Sequence, residues 1–455
     1  MDQSESNRLK DIDRRHVWHP FTQMQEYAVS NPVIIERGEG VYLYDTDGRR
    51  YMDAFSSVWC NVHGHGVPEI DQAIKDQLGQ VGHSTLLGLS NVPATQLAER
   101  LVDLAPEGLD HVFYSDSGAT AVEIALKMAF QYWHQRPDPR PEKTKFLHLT
   151  DSYHGDTVGA VSIGGIDRFH KIYGPLLFDS IAVPAPHSYR CSFCADETAC
   201  NKGCIQALEE TLTRRSDEIA AFFIEPLVQA ACGMYVHPEG YLREAARLCR
   251  EHDVLLIADE VATGFGRTGK MFACDQEEVE PDILCLGKGL TGGYLPIAVT
   301  MATRDIYDAF LGDYEEQKTF FHGHTFTGNP IGCAAAIASL DLFETHDILA
   351  GLQPKIAHIA ERTSELTDHP QVGDIRQLGM ILAIELVANK HSHRPYPWED
   401  RVGVQVCDRA RENGILIRPL GSTIVLIPPL SVTINEIDIM LDVTFASIDA
   451  VTRGL

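Results

Sequence analysis

Two side chains in this sequence are spaced to do covalent chemistry together. Lys288 stands between Gly287 and Gly289, at the end of the apolar run Ile283-Leu284-Cys285-Leu286. That run has the length of a buried strand. Asp259 closes a second such run, Val254-Leu255-Leu256-Ile257-Ala258. Flanking glycines let the Lys288 amine approach a planar partner, and burial disfavours its ammonium form. An amine and a carboxylate at the tips of neighbouring strands can condense with an aldehyde and pair with a pyridinium nitrogen. The competing reading of Lys288 is a solvated lysine closing a surface strand. The company it keeps argues against that.

Other residues supply what such a pair needs. Val112-Phe113-Tyr114 reads as a short strand, followed by Ser115-Asp116-Ser117-Gly118-Ala119-Thr120 and an amphipathic helix from Ala121 to about Trp133. A hydroxyl-and-glycine turn at a helix N-terminus presents free N–H groups and a positive dipole end to a phosphate. A plain capped helix would use the same residues. Tyr153, in the loop Asp151 to Thr157, offers a ring to stack on a flat cofactor. Ala220 to Ile224 is a further buried strand, and it ends in Glu225. Thr325, in the stretch Phe320 to Pro330, is a candidate phosphate ligand. Arg418 ends the strand from Gly414, where a guanidinium can grip a carboxylate through two parallel hydrogen bonds; a structural ion pair is the alternative.

Three patterns compete with this chemistry. Gly264-Phe265-Gly266-Arg267-Thr268-Gly269 fits the dinucleotide fingerprint, but no helix opens within it, so it reads as a flexible loop beside the site. His63 and His65 lack a carboxylate at ligand spacing and read as ordinary polar residues. Cys191, Cys194, Cys200 and Cys204 fall within fourteen residues, a spacing like that of a small structural zinc site.

The elements that position these residues alternate as strand and helix from about 68 to 330, which predicts a mainly parallel sheet covered by helices. Residues 1–35 read as an irregular arm around His16-Val17-Trp18-His19-Pro20-Phe21. Gly38 to Tyr51 reads as a hairpin turning at Asp47-Gly48. After about 331 a long alanine-rich helix leads to a smaller α/β unit. The division expected is 1–67 for the arm and part of a small domain, 68–330 for a large cofactor-binding domain, and 331–455 for the rest of the small domain. The net charge is −26, from 38 basic and 64 acidic residues, which argues against nucleic acid or anionic membrane as partner. No apolar run is long enough to cross a bilayer, and residues 1–15 carry no signal-peptide core. A cytoplasmic protein with reduced thiols is expected.

The block LLIADEVATGFGRTGK with PDILCLGKGLTGG resembles the class III aminotransferases of fold type I, over nearly the whole chain. The resemblance implies pyridoxal 5′-phosphate as cofactor. It implies that Lys288 carries the cofactor, Asp259 binds its ring nitrogen, Ser117, Gly118 and Ala119 hold its phosphate, and Tyr153 lies on its ring. It implies that Thr325 reaches the phosphate of a neighbouring subunit, hence a homodimer with shared sites. Within the class, HVWHPFTQM, SSVWCNVHGH, SDSGATAVEIALKMAFQYW and DSYHGDT resemble the branch that aminates 8-amino-7-oxononanoate in biotin biosynthesis. That likeness makes Arg418 the carboxylate anchor and assigns Phe21, Trp59, Tyr153, Asp156, Gly323 and Arg267 to the substrate pocket. Phe21 and Val58 stand where members that use S-adenosylmethionine have Tyr and Trp. With Gly293-Tyr294-Leu295-Pro296, they resemble a branch that takes its amino group from L-lysine. A broad ω-amine:pyruvate aminotransferase is the alternative activity.

Overall fold

The computed structural model describes residues 1–191, 193–194 and 203–453. Its centre is a seven-stranded sheet. The strands, in chain order, are β1 (Leu109–Ser115), β2 (Lys145–Leu149), β3 (Ile181–Val183), β4 (Ile219–Ile224), β5 (Leu255–Asp259), β6 (Ile283–Leu286) and β7 (Ala298–Thr303). In space the order is β1-β7-β6-β5-β4-β2-β3. All neighbours are parallel except at β7, which runs antiparallel to both β6 and β1. The fold class is therefore the α/β one that the alternation predicts.

The continuous apolar character of β4, β5 and β6 follows from burial on both faces. Leu256, Phe222 and Leu284 point into one hydrophobic cluster with Leu242 and Leu248. Their chain neighbours Ile257, Phe223 and Ile283 point into the other, with Trp133 and Ala125 of the helix Gly118–Gln135. Each such side chain contributes about 1.5–3 kcal/mol when fully buried. The helix Gly118–Gln135 starts at a capping box, in which Ser117 and Thr120 each satisfy the other's backbone N–H. It stops at Arg136, which is extended and precedes Pro137.

Val228–Gln229 and Tyr235–Val236 form a small two-stranded sheet, and the chain ends build the other two. Ile35–Glu39, Tyr42–Asp45 and Arg50–Asp53 form an antiparallel unit with the turn at Asp47-Gly48, as the hairpin pattern predicts. Ile415–Leu416 joins it in parallel beside Met52 and Asp53. A five-stranded sheet holds Val372–Leu378, Ile381–Asn389, Thr423–Leu426, Arg418–Leu420 and Arg394–Pro395. The single strand expected over Gly414–Arg418 is thus two: the chain changes sheets at Ile417, and Arg418 opens the second.

The arm differs from expectation. Gln3–His16 is a helix, capped by the Asp2 side chain. Its buried residues are Ser6 and Lys10, not apolar ones. Ser6 bonds Thr46 and Asp47, and Lys10 pairs with Asp47 at 2.5 Å. A helix docked through polar contacts carries no apolar period to read.

Candidate active site

The register of β5 and β6 sets the reactive pair side by side. Asp259 lies level with Cys285, and Lys288 follows three residues beyond. Lys288 begins the short 3-10 turn Lys288–Thr291 with φ 39°. A cavity of about 390 Å³ opens there. Lys288, Asp259, Ser117, Gly118, Ala119, Tyr153 and Trp59 all line it.

Two glycines in its wall are fixed by space. A Cβ on Gly118 would lie 2.4 Å from Val261 Cγ1, and one on Gly155 would lie 2.4 Å from Ala119 Cβ. The helix N-terminus therefore approaches the cavity with bare backbone, and the N–H groups of Gly118 and Ala119 have no acceptor within the helix. Capping and phosphate binding coexist here: Ser117 caps Thr120 while the first two N–H groups stay open.

Burial pushes the Lys288 amine below the usual lysine range, although Asp259 and Glu225 pull the other way. Asp259 is held from two sides. Its Oδ2 bonds His154 Nδ1 at 2.7 Å, and its Oδ1 accepts the Val261 N–H at 3.1 Å. Burial would depress the His154 imidazole, but the bond to Asp259 and the proximity of Glu225 raise it overall. Glu225 accepts the N–H groups of Tyr153 at 3.0 Å and Ala230 at 2.9 Å. Burial moves its carboxyl up to about 7. The Tyr153 hydroxyl donates to Asp156 at 2.7 Å; burial and that carboxylate raise its phenol. His154 escapes sequence reasoning. It is one residue from Tyr153, but its partner is more than a hundred residues away, and only the lone acid after β4 hinted at Glu225.

A second, larger cavity of about 1160 Å³ holds Arg418 and Phe21. Arg418 Cζ lies 5.9 Å from the Phe21 ring centroid. Among the described residues Arg418 has no ion-pair partner, whereas its neighbours Arg190, Arg401 and Arg411 pair with Glu385, Glu26 and Asp408. Phe169 lies between the cavities, edge-on to Phe21 at 5.3 Å and to Tyr153 at 6.4 Å. Sequence reasoning did not pick it out.

Several expected residues fall elsewhere. Arg267 lines neither cavity. Its guanidinium is buried and donates to the carbonyls of Pro428 (2.9 Å), Trp59 (3.3 Å) and Asn61 (2.6 Å), and desolvation lowers it to about 10. The whole Gly264–Gly269 loop is buried too, so it is a braced turn and not a flexible loop. Glu260 anchors it through Thr263 Oγ1 and the N–H groups of Ala273 and Cys274. Thr325 is exposed, and neither it nor Gly323 lines either of these two cavities. His63 bonds Ser339, and His65 bonds Asp53 and Asn61. Cys200 lies outside the described residues; of the other three, Cys191 and Cys194 are half-buried and Cys204 is buried. Among the described residues no cluster of His, Cys, Asp and Glu is arranged to hold a metal. Nor is any helix among them long and apolar enough to cross a membrane.

A mainly parallel sheet with a half-buried lysine and a braced aspartate at adjacent strand tips defines a class of enzyme, and comparison with known proteins agrees. The Aminotransferase class-III family model matches residues 24–447, and the chain belongs to that family. It is 54% identical over 447 residues to the adenosylmethionine-8-amino-7-oxononanoate aminotransferase of Geobacter sulfurreducens (strain ATCC 51573 / DSM 12127 / PCA), covering 98% of each chain. The crystal structure of the enzyme so named from Methanocaldococcus jannaschii DSM 2661 superposes with a TM-score of 0.92 at 46% identity, covering 98% of this chain and 99% of that one. An (S)-enantioselective omega-transaminase from Thermomicrobium roseum superposes with a TM-score of 0.93 at 34% identity, over 98% and 99%. The protein is thus an aminotransferase of class III.

Proposed function

We propose that this aminotransferase, with pyridoxal 5′-phosphate bound, converts 8-amino-7-oxononanoate to 7,8-diaminononanoate, the reaction of 7,8-diaminopelargonic acid synthase in biotin biosynthesis. The observation that carries the reading is the Arg418 guanidinium beside Phe21, without an ion-pair partner among the described residues, in a cavity separated from the Lys288 pocket by the Phe169 ring, which packs on both Phe21 and Tyr153. An acceptor with a long aliphatic chain ending in a carboxylate suits aromatic side chains with a guanidinium beside them. Relatives named for that acceptor, at 54% and 46% identity, support it.

The residues of the smaller cavity fit the cofactor. The helix N-terminus at Gly118 and Ala119 offers free N–H groups to a phosphate, and Thr157 Oγ1, also in the cavity lining, is buried with no partner among the described residues. When bound, pyridoxal 5′-phosphate supplies an aldehyde that takes up amines and a ring that draws electrons from the carbon being reprotonated. Lys288 holds the cofactor through Nζ. With the cofactor bound, the same Nζ would serve as the base and acid that moves the proton at the substrate carbon, a role that burial favours by lowering the amine's proton affinity. Asp259, fixed by His154 and Val261, holds a proton on the ring nitrogen. Tyr153, tethered through Asp156, covers one ring face, and Trp59 helps exclude water. Arg418 orients the acceptor by its carboxylate. The two half-reactions share these groups and follow in ping-pong order.

The active unit is a homodimer in this reading. Lys127 Nζ contacts Phe321 O and His322, and His324 faces Asp116, so residues 320–325 lie against the helix that bears the phosphate site. Thr325 and Gly323 are exposed there, and in the proposed dimer they would reach a second copy's cavity. Leu87 (81% exposed) and Phe321 (77% exposed) leave apolar surface on this side, as an unpaired interface would.

The amino donor is S-adenosylmethionine or L-lysine. The relatives' names favour the first, and Phe21 and Val58 favour the second. Purified enzyme is tested with the oxononanoate acceptor and each donor in turn, and with pyruvate in place of the acceptor. Amination of the oxononanoate by either donor supports the reading. Turnover of pyruvate alone would identify an ω-amine:pyruvate aminotransferase, in keeping with the omega-transaminase name of the Thermomicrobium neighbour.

A further inference from the structure

The segment Ser56-Ser57-Val58-Trp59 runs through a turn of left-handed helix. Its φ angles are 51°, 48°, 68° and 68°. Helical hydrogen bonds close it, from Trp59 N–H to Phe55 O at 2.8 Å and from Cys60 N–H to Ser56 O at 2.9 Å. None of these residues is glycine. In each, Cβ is pressed toward the following carbonyl, and a β-branched residue such as Val58 suffers most. Such a turn persists only where its surroundings over-determine it.

The surroundings do so here. Asp53 is wholly buried at the end of Arg50–Asp53. Its carboxylate accepts the Ser57 N–H at 2.9 Å and the Ser57 hydroxyl at 2.7 Å, and it also bonds His65 Nε2 at 3.0 Å. Ser56 Oγ donates to Ile427 O at 2.6 Å, and Arg267 ties down the Trp59 and Asn61 carbonyls. The turn leaves Val58 44% exposed and Trp59 only 8% exposed. The Trp59 ring then stands with its centroid 5.5 Å from Lys288 Nζ.

We propose that the Ser56–Trp59 turn is a strained mount that holds the Trp59 indole as the wall beside Lys288, and that Asp53 is the positioning residue that keeps it wound. The proposal rests on the reading of Lys288 as the reactive amine. Its logic is a clamp working against a spring. Removing the clamp lets the turn unwind, the indole drift and water reach the amine. Relaxing the spring makes the clamp less necessary.

Two measurements on the cofactor-loaded protein test this. The first is thermal melting of Val58→Gly. Glycine weakens an ordinary helix or strand, but in a left-handed turn it removes strain. The Tm is expected to equal or exceed that of wild type, by about 1–2 °C; a lower Tm overturns the proposal. The second is the pH titration of the cofactor's absorbance. Lys288 is faced by Asp259, Glu225, Cys60 and Arg267, and water admitted past Trp59 would favour the charged form of the lysine nitrogen. In Asp53→Ala the midpoint is expected to move up by about 0.5–1 pH unit. Adding Val58→Gly should bring it at least halfway back. A midpoint unmoved by Asp53→Ala, or moved and not restored, overturns the proposal, since a merely structural role would lower Tm alone. If Asp53→Ala yields no folded protein, Ser57→Ala replaces it and is judged by the same criteria. Absence of a lysine-bound cofactor band from wild type would instead mark failure of the functional reading, which the melting comparison does not depend on.

Discussion

Substitution of Glu225 by Gln should flatten part of the protein's pH–stability profile. Glu225 is 4% exposed, and burial raises its carboxyl from 4.5 to about 7. Because the folded state binds this proton more tightly than the unfolded chain, stability is greatest below about pH 4.5 and falls as pH rises to about 7. At about 1.4 kcal/mol for each pH unit, the loss across that window is about 3 kcal/mol. For a chain of this length that is about 3 °C in Tm. The neutral amide that replaces the carboxylate cannot titrate. It keeps one backbone N–H bond and turns an NH₂ toward the other, a cost of about 1–3 kcal/mol that does not vary with pH. Thermal melting of wild type and Glu225→Gln from pH 5 to pH 8 separates the two effects. The wild-type Tm should fall about 3 °C further than the variant's over that range. Parallel curves would refute the claim that Glu225 ionises against its surroundings.

Three further substitutions probe the cavity walls and their bracing. Gly118→Ala drives a methyl into Val261 and should weaken pyridoxal 5′-phosphate binding at least about tenfold, measured by equilibrium dialysis, with about 1–3 kcal/mol of overpacking strain. Arg418→Ala should lower kcat/KM for the oxononanoate by about 100-fold, equivalent to about 2.7 kcal/mol, while leaving the half-reaction with an amine that lacks a carboxylate unchanged in steady-state assays. Arg267→Met leaves the buried carbonyls of Pro428, Trp59 and Asn61 without their donor and should cost about 3–5 kcal/mol in denaturant unfolding.

The placement of Asp259 and Lys288 at adjacent strand tips was legible in the sequence because β5 and β6 are buried on both faces, so their apolar runs stand out and end abruptly there. The helix N-terminus at Ser117–Ala119 was legible through its cap for the same local reason. The arm helix was not, since Ser6 and Lys10 dock it through Asp47 and Thr46 and leave no apolar stripe. The split at Ile417 was hidden because a residue run cannot say which sheet it joins. The family resemblance assigned Arg267 to the pocket, yet its three carbonyl partners come from segments near 60 and 428. Long-range polar bracing of this kind, like His154 on Asp259, has no periodic trace in the chain.

The central claim is that Lys288 Nζ is the amine that binds the cofactor. Borohydride reduction of protein loaded with pyridoxal 5′-phosphate, followed by digestion and mass spectrometry, locates that bond directly. The modification is expected on the peptide carrying Lys288 and absent from Lys288→Ala, which should also lose transamination. A cofactor fixed on another lysine, or a Lys288→Ala variant that still turns over, would contradict the account.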